Sequence, residues 1–159
     1  MKYTLFFFLV FASLTMNAQK LPNVTLKDLD GKSVNVSSYN NSDKPVIISF
    51  WATWCGPCLK ELKAIKEVYP QWQKETGVKL VAVSVDDAKT IKRVKPLVNG
   101  NSWTYEVLLD QNQALKRALN VVNVPYTIIV HKGEIVYSHS SYSPGIENEI
   151  YKQLKKLSK

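Results

Sequence analysis

Residues 46–58 read Val-Ile-Ile-Ser-Phe-Trp-Ala-Thr-Trp-Cys-Gly-Pro-Cys, an apolar run that ends in two closely spaced cysteines. The run from Val46 to Trp51 has the length and the β-branched content of a buried strand. After Cys58, apolar residues recur at helical spacing with charged residues between them, and this helix should extend to Gln71 or beyond. The sequence therefore predicts that its only two cysteines lie where a strand passes into a helix.

The predicted position of Cys55, at the N-terminus of a helix, favours ionisation of its thiol. Backbone N–H groups and the helix dipole stabilise an anion at such a position. In Cys-x-x-Cys motifs, these effects lower the thiol pKa from about 8.5 into a range of roughly 3.5 to 7.5. We expect Cys55 to supply the attacking thiolate, and Cys58, one turn further on, to be more buried and to stay protonated. Their separation also allows the two sulfurs to form a disulfide when the first turn is helical.

A zinc site and a purely structural disulfide are the two alternatives to redox chemistry for this cysteine pair. The chain has no further cysteines to complete a zinc site, and its two histidines, His131 and His139, lack ligand-like spacing. A structural disulfide that closes so small a loop would constrain the unfolded chain little. Redox chemistry is therefore the favoured interpretation, with no metal and no cofactor besides the disulfide of Cys55 and Cys58 itself.

The first 18 residues are predicted to be a secretory signal peptide. A positive charge at Lys2 precedes an uncharged, largely apolar stretch from Thr4 to Met16, after which polarity returns. We expect cleavage after Ala18, which leaves residues 19–159 as one domain. The apolar stretch is short for a membrane span of about 20 residues, and retention as an N-terminal anchor is the alternative. Either way the domain would face the periplasm, where disulfides form and persist.

The rest of the chain alternates predicted strands and helices. Alternating segments on either side of Asp30-Gly31 predict an N-terminal β-hairpin. The run at 78–85 predicts a second central strand, and residues 88–98 predict an amphipathic helix that Asp86 or Asp87 would cap and Pro96 would end. The remaining predicted elements are a strand at 103–109, a short helix at 113–119, strands at 126–130 and 134–139, and a closing helix at 146–157. This order is typical of an α/β fold, with helices on both faces of a central mixed sheet.

Two segments carry a resemblance to a known family. Residues 50–58 resemble the active-site segment of the thioredoxin superfamily, and residues 124–130, Val-Pro-Tyr-Thr-Ile-Ile-Val, are similar to its cis-proline loop and the following strand. Within that superfamily, Cys-Gly-Pro-Cys-Leu-Lys-Glu at 55–61 looks most like the TlpA/ResA group of extracytoplasmic thiol–disulfide oxidoreductases. The resemblance covers nearly all of the chain after residue 20. It implies a thioredoxin-like fold with an N-terminal β-hairpin and a strand and helix inserted before the cis proline.

The resemblance also implies catalytic roles. Cys55 would attack a disulfide of a partner protein, and Cys58 would then resolve the mixed disulfide. Glu61 matches a glutamate that lies near the dithiol in the TlpA/ResA group. It would be the acid–base group, because Ser49 stands where thioredoxin has a buried aspartate. The alternative for Glu61 is an ordinary solvated helix residue.

Residues around the dithiol are implied to bind the substrate. Pro125 would hold a cis bond against the dithiol and expose the backbone of Val124 to a substrate strand. Gly56 and Pro57 would allow a partner chain to approach closely. Trp54 would form an apolar rim, and Trp51 is expected to pack in the core beneath the helix. Tyr126 departs from the small residue or threonine usual in the family, and we expect it to affect the choice of substrate.

The resemblance implies an enzyme that reduces disulfides in envelope proteins, with cytochrome c maturation as one such process. Gly-Pro between the cysteines is the thioredoxin pair, and thioredoxin is strongly reducing, at about −270 mV. The expected partners are disulfide-containing envelope proteins as substrates and a membrane electron donor that restores the dithiol, with the chain itself a monomer. A peroxiredoxin-like thiol peroxidase is one alternative, but its Pro-x-x-x-Thr-x-x-Cys setting is absent because Ile48 takes the proline position. A non-enzymatic binding module with a structural disulfide is the other.

The net charge of +8 does not predict a nucleic-acid partner. The lysines are scattered along predicted helix faces, as at Lys63, Lys66 and Lys74, instead of forming one patch. We expect at most a weak attraction to an acidic partner or a membrane surface.

The first testable prediction concerns thiol acidity. In the reduced protein, the alkylation rate of Cys55 should reach its plateau at a pH well below the value of about 8.5 that is typical of a free thiol. Alkylation across a pH series, with each cysteine followed by mass spectrometry, measures this. Equal rates for Cys55 and Cys58, both rising at the pH of free cysteine, would contradict the prediction.

Overall fold

The strand Val46–Trp51 lies at the centre of the fold and is buried along its whole length. Because successive side chains of a strand point to opposite faces, complete burial means that both faces of the sheet are covered here. The computed structural model describes residues 19–158. The predicted signal peptide, residues 1–18, lies outside the described residues and stays a prediction. Among the described residues, no helix combines the length and the apolar character that a membrane span requires.

The described residues form seven strands and four α-helices. The strands are β1 (Thr25–Asp28), β2 (Ser33–Asn35), β3 (Val46–Trp51), β4 (Lys79–Ser84), β5 (Glu106–Leu109), β6 (Tyr126–His131) and β7 (Glu134–Ser140). The helices are α1 (Gly56–Thr76), α2 (Val94–Gly100), α3 (Ala114–Ala118) and α4 (Ile146–Leu157).

The strands form one mixed sheet in the order β2-β1-β5-β4-β3-β6-β7. β3, β4 and β5 run parallel, and the other neighbours pair antiparallel. β1 and β2 form the predicted N-terminal hairpin, and β5 with α3 is the predicted insertion before Pro125. The predicted fold class is therefore confirmed. Parallel pairing also places the ends of β3 and β4 side by side, with Trp51 opposite Ser84.

Helix α1 starts directly after Cys55 and runs unbroken through Pro70 to Thr76. Pro57 lies in its first turn, where a missing N–H costs nothing. Gly77 ends the helix with a φ of 69°, the left-handed conformation that glycine adopts without strain. The residues of α1 that are buried are Cys58, Glu61, Leu62, Ile65, Tyr69, Trp72 and Thr76.

The prediction of a helix over residues 88–98 is wrong at both ends. Helix α2 begins only at Val94 and continues beyond Pro96 to Gly100. Asp87 closes a tight turn instead of capping a helix, because its carboxylate accepts hydrogen bonds from backbone N–H groups that follow it closely. Pro96 does not end α2, since it lies in the first turn, where no N–H donor is needed.

Strand β5 begins three residues later than the strand predicted at 103–109. The residues before it join an aromatic cluster. The Trp103 ring lies 5.1 Å from that of Trp51 and 5.3 Å from that of Tyr105, measured between ring centroids. Trp51 is fully buried, which confirms its predicted place in the core.

A polar cluster around Glu75 holds the C-terminal helix α4 against α1. The Glu75 carboxylate accepts hydrogen bonds from the Tyr151 hydroxyl and the Gln71 side chain, and one oxygen lies 3.0 Å from Nζ of Lys155. The ring of Tyr151 also stacks on that of Trp72. The hydrogen bond from Tyr151, followed by those from Gln71 and Lys155, lowers the pKa of Glu75 to about 2.

This cluster predicts a pH-dependent contribution to stability. The pKa of Glu75 lies below its ordinary value of 4.5, so the contribution is complete above about pH 4.5 and is lost as the pH falls towards 2. We expect Glu75→Gln to lower the urea midpoint at neutral pH, and the difference from the unchanged chain to shrink towards zero near pH 2. Glu67→Gln, at an exposed glutamate of the same helix, is the control. A midpoint difference that stays constant down to acid pH would contradict this account.

Candidate active site

The two cysteines form a disulfide at the start of α1, with Sγ atoms 1.99 Å apart. Cys55 is the N-cap residue in extended conformation, and its Sγ accepts a hydrogen bond from the backbone N–H of Cys58 at 3.3 Å. Cys58 is 1% exposed and Cys55 6%. The predicted placement of the pair is therefore confirmed, and Cys58 is the more buried. A backbone N–H aimed at Cys55 Sγ would stabilise the thiolate when the disulfide is reduced.

A buried carboxylate, Asp86, fixes the loop that carries Cys55. It accepts hydrogen bonds from the Thr53 backbone N–H at 2.8 Å, the Thr53 hydroxyl at 2.5 Å and the Ser84 hydroxyl at 2.8 Å. The prediction that Asp86 caps a helix is wrong, because its oxygens are engaged by these groups. The sequence signal for this role of Asp86 is its position just after a buried strand. Parallel neighbouring strands end at the same edge of the sheet, so residues that follow them lie close together.

Glu61 is fully buried and makes two hydrogen bonds across the fold. The Thr127 hydroxyl donates to Oε1 at 2.6 Å, and Nε2 of His139 lies 3.2 Å from Oε2. The alternative of a solvated helix residue is therefore wrong. Glu61 follows Cys58 by three residues, so the two side chains are neighbours on the buried face of α1. This places a carboxyl group next to the inner cysteine, as the predicted acid–base role requires.

His139 belongs to this site, and the sequence reasoning missed it. The sequence marks His139 only as a candidate zinc ligand without ligand-like spacing. Within residues 19–158, no group of three or more potential metal ligands occurs. The sheet register places Ser49, Thr127 and His139 opposite one another on β3, β6 and β7. Directly opposed residues project from the same face, so the three form a polar row beneath α1. The period of two along β7 is the pattern that predicts this position from sequence. It places Ile135, Tyr137 and His139 on one face of the strand, which is the less exposed face in the structure.

The Val124–Pro125 peptide bond is cis, as the resemblance implied. Phe50 pairs with Tyr126, so Pro125 lies beside the end of β3 from which the cysteine loop departs. Within residues 19–158, the backbone N–H and C=O of Val124 make no hydrogen bond to other backbone groups. They are therefore free to pair with a substrate strand, as predicted.

Two exposed apolar side chains flank this backbone. Trp54 is 60% exposed, as its predicted place on the rim requires, and Val122 is 78% exposed. Both line a cavity of about 210 Å³ whose wall includes Val124. Val122 also lines a second cavity, of about 250 Å³, and Tyr126 forms part of the wall of that cavity. Val122 was not predicted, because the sequence does not distinguish it from the adjacent Val121, which is buried.

Gly56 and Pro57 are exposed at the start of α1. A Cβ placed on Gly56 would meet no side chain or more distant backbone atom within 4 Å, so the space beside Gly56 is open. The structure thus brings the predicted residues into one region: the cysteines and Glu61 on α1, Trp54 before it, and Val124 to Tyr126 beside it.

Comparisons with known proteins agree with this architecture. The AhpC/TSA family model matches residues 18–138. A thioredoxin-like protein from Porphyromonas gingivalis, whose solution structure is known, is 52% identical, with a TM-score of 0.77 over 87% of this chain and 91% of that one. StoA from Bacillus subtilis is 24% identical, with a TM-score of 0.65 over 87% of this chain and 100% of StoA, and this likeness shows the shared fold.

The thiol-disulfide oxidoreductase ResA of Bacillus thuringiensis is 33% identical over 119 residues, which are 74% of this chain and 66% of ResA. The chain therefore spans just under two thirds of the length of such curated relatives. The family match extends over most of the sequence, and the sheet order, the cysteine pair and the cis proline all lie within it. The chain belongs to the AhpC/TSA family and has a thioredoxin-like fold.

Proposed function

We propose that the chain is a thiol–disulfide oxidoreductase that reduces disulfides of proteins outside the cytoplasm. The observation that carries this proposal is the Cys55–Cys58 disulfide at the start of α1, with the Cys58 N–H directed at Cys55 Sγ and the buried Glu61 carboxyl group one turn on. The name of the ResA relatives supports the same reaction class.

The reaction consists of two disulfide exchanges. Cys55 thiolate attacks a sulfur of the substrate disulfide, the substrate S–S bond breaks, and one substrate sulfur leaves as thiolate. Cys58 then gives its proton to Glu61 and its sulfur attacks Cys55 Sγ. The mixed disulfide breaks and the second substrate sulfur leaves with the electron pair. The substrate gains two electrons, and the chain ends with the disulfide that the structure shows.

The surface around the dithiol supports an extended polypeptide as substrate. A segment that pairs with the free backbone of Val124 would add a strand beside the cis proline, a known mode of peptide recognition. Trp54 and Val122 would contact apolar side chains of the segment on either side. The open space at Gly56 would admit the target disulfide.

We also propose where the protein acts and with which partners. The predicted signal peptide supports export to the periplasm, where oxidised proteins are the available substrates. A dithiol consumed in each cycle needs an electron donor, and we propose one in the membrane, with the chain acting as a monomer. Cytochrome c maturation is one process that consumes such reducing equivalents.

The second half of the reaction can be blocked to test this function. In Cys58→Ser, Cys55 can attack but no thiol can resolve the mixed disulfide, so covalent complexes with envelope proteins should accumulate. Expression of the full chain, followed by electrophoresis with and without reductant, measures them. Cys55→Ser, which lacks the attacking thiolate, is the matched control and should trap nothing.

The same experiment separates the proposal from its alternatives. A binding module with a structural disulfide would keep its partners in Cys55→Ser and would form no complex that reductant releases in Cys58→Ser. A thiol peroxidase would turn over hydrogen peroxide rapidly in purified form, with no need for a protein disulfide. Either result would overturn the proposal.

The direction of electron flow is a separate prediction. Because Gly-Pro separates the cysteines, we expect a potential near that of thioredoxin, about −270 mV, and far from that of DsbA, about −120 mV. Equilibration of the purified protein with thioredoxin of known redox state, with both disulfides quantified, measures the difference. A value near that of DsbA would show that the chain oxidises its partners.

A further inference from the structure

The cavity lined by Trp54 and Val122 carries one charged side chain in the part of the chain that the structure describes, that of Lys116 on α3. The second cavity at Val122, whose wall includes Tyr126, is lined in the same part of the chain by uncharged side chains alone. Val124, whose backbone is proposed to pair with a substrate strand, lies in the wall of the first cavity. A substrate side chain that enters this cavity would therefore meet a positive charge.

The fold fixes the backbone of Lys116 beside this cavity. Its N–H donates to the buried carboxylate of Asp110 at 2.8 Å, and its carbonyl accepts a hydrogen bond from the Val121 N–H at 2.9 Å. The first contact holds the start of α3 at the end of β5, and the second joins α3 to the segment that carries Val122. Lys116 therefore keeps its place relative to the proposed substrate strand.

The Lys116 ammonium group has no carboxylate partner within residues 19–158. In this range its hydrogen bond joins Nζ to Oε1 of Gln113, a neutral acceptor, at 3.3 Å, and none of the ion pairs includes it. The two aspartates that adjoin this region, Asp86 and Asp110, are buried and accept hydrogen bonds from donors within the fold. The charge of Lys116 is therefore available to a bound ligand.

The polar side chains of the cavity match a carboxylate. The Lys116 ammonium group is only a donor, and the side-chain amides of Gln113 and Asn123, which also line the cavity, each carry N–H donors. An ionised carboxylate accepts hydrogen bonds and donates none. A basic side chain in the same place would be repelled by Lys116, since like charges placed together at an interface are unfavourable. The cavity thus favours an acidic side chain over a basic one.

We propose that Lys116 is a specificity-determining residue, which favours substrate segments with an acidic side chain close to the target disulfide. This inference rests on the proposed function and deepens it, because it assumes that the segment pairs with Val124. Lys116 would act on the binding of the segment and not on the exchange of sulfurs. Because its side chain is half-buried at the edge of an open cavity, water and salt partly screen the attraction.

Peptides that differ in one side chain test this inference. Each peptide contains one disulfide in an otherwise uncharged sequence, and glutamate, glutamine or lysine takes each position next to the cysteines in turn. The purified, reduced protein is mixed with excess peptide, the reaction is stopped with acid, and chromatography measures the oxidised fraction of the protein. The ratio of the second-order rate constants for the glutamate and glutamine peptides isolates the effect of charge.

At the position that faces the cavity, we expect the glutamate peptide to react about two- to five-fold faster than the glutamine peptide, and the lysine peptide to react more slowly than both. The preference for glutamate should disappear in Lys116→Gln and reverse in Lys116→Glu. The ratio compares two peptides within one variant, so a general loss of activity does not change it. Lys74→Gln, in the last turn of α1, is the matched control, because it removes the same charge far from the disulfide and should keep the ratio of the unchanged chain.

The outcomes separate this inference from the proposed function. Equal rates for the three peptides at every position, or an equal loss of preference in Lys74→Gln, would overturn the role of Lys116 and leave the proposed function intact. A folded, reduced protein that reacts with none of the peptides would overturn the proposed function and this inference with it.

If Lys116→Gln does not fold, the unchanged chain provides the test. Its preference for glutamate must be confined to neighbouring positions of the peptide and must shrink as the ionic strength rises from about 0.01 M to about 1 M, where exposed charges are screened within a few ångströms. A preference that is the same at every position, or that salt does not reduce, would overturn the inference.

Discussion

The hydrogen bonds that Asp86 accepts tie the end of β3 to the end of β4, and the geometry of the dithiol depends on this tie. Thr53 lies in the loop between β3 and α1, and both its backbone N–H and its hydroxyl point to the Asp86 carboxylate. The loop is too short to form a structure of its own. With Thr53 fixed, Cys55 takes the N-cap position, and the Cys58 N–H faces its sulfur. Loss of a hydrogen-bond partner for such a buried polar group costs about 1–3 kcal/mol, a large part of the stability of a small domain.

The second constraint is the burial of Glu61. A carboxyl group without partners in the interior destabilises a fold by several kcal/mol, and here Thr127 and His139 supply partners from the sheet. The helix contributes the acid and two neighbouring strands contribute the groups that satisfy it. Ser49 lies in the same row, and its hydroxyl has no hydrogen-bond partner within residues 19–158. The buried carboxyl group is thus supplied by the helix at Glu61 and not by the strand, where Ser49 lies.

The sequence was sufficient wherever local pattern and chemistry determine structure. The apolar run at Val46–Trp51 and the cysteine spacing predicted the centre of the sheet and the N-cap, and the resemblance of residues 124–130 to the thioredoxin cis-proline loop implied the cis proline. The prediction of a helix at 88–98 is wrong because the Asp87 side chain accepts a hydrogen bond from the backbone of a turn. The spacing of apolar residues does not reveal that this turn competes with the helix. The hydrogen bonds from Thr53 to Asp86 and the two partners of Glu61 could not be predicted, because these residues lie 33 to 78 positions apart in the chain. Only the strand register, which places Ser49, Thr127 and His139 in one row, brings the two partners of Glu61 together.

The exposed side chains of Trp54 and Val122 limit what the surface beside the disulfide can discriminate. Two apolar contacts and the unpaired backbone beside Pro125 carry little sequence information, and Lys116 adds one positive charge to the wall of the same cavity. A disulfide within a packed domain cannot present the extended segment that this backbone requires. If the surface binds substrates as proposed, selection would therefore depend mainly on whether the target segment is locally unfolded.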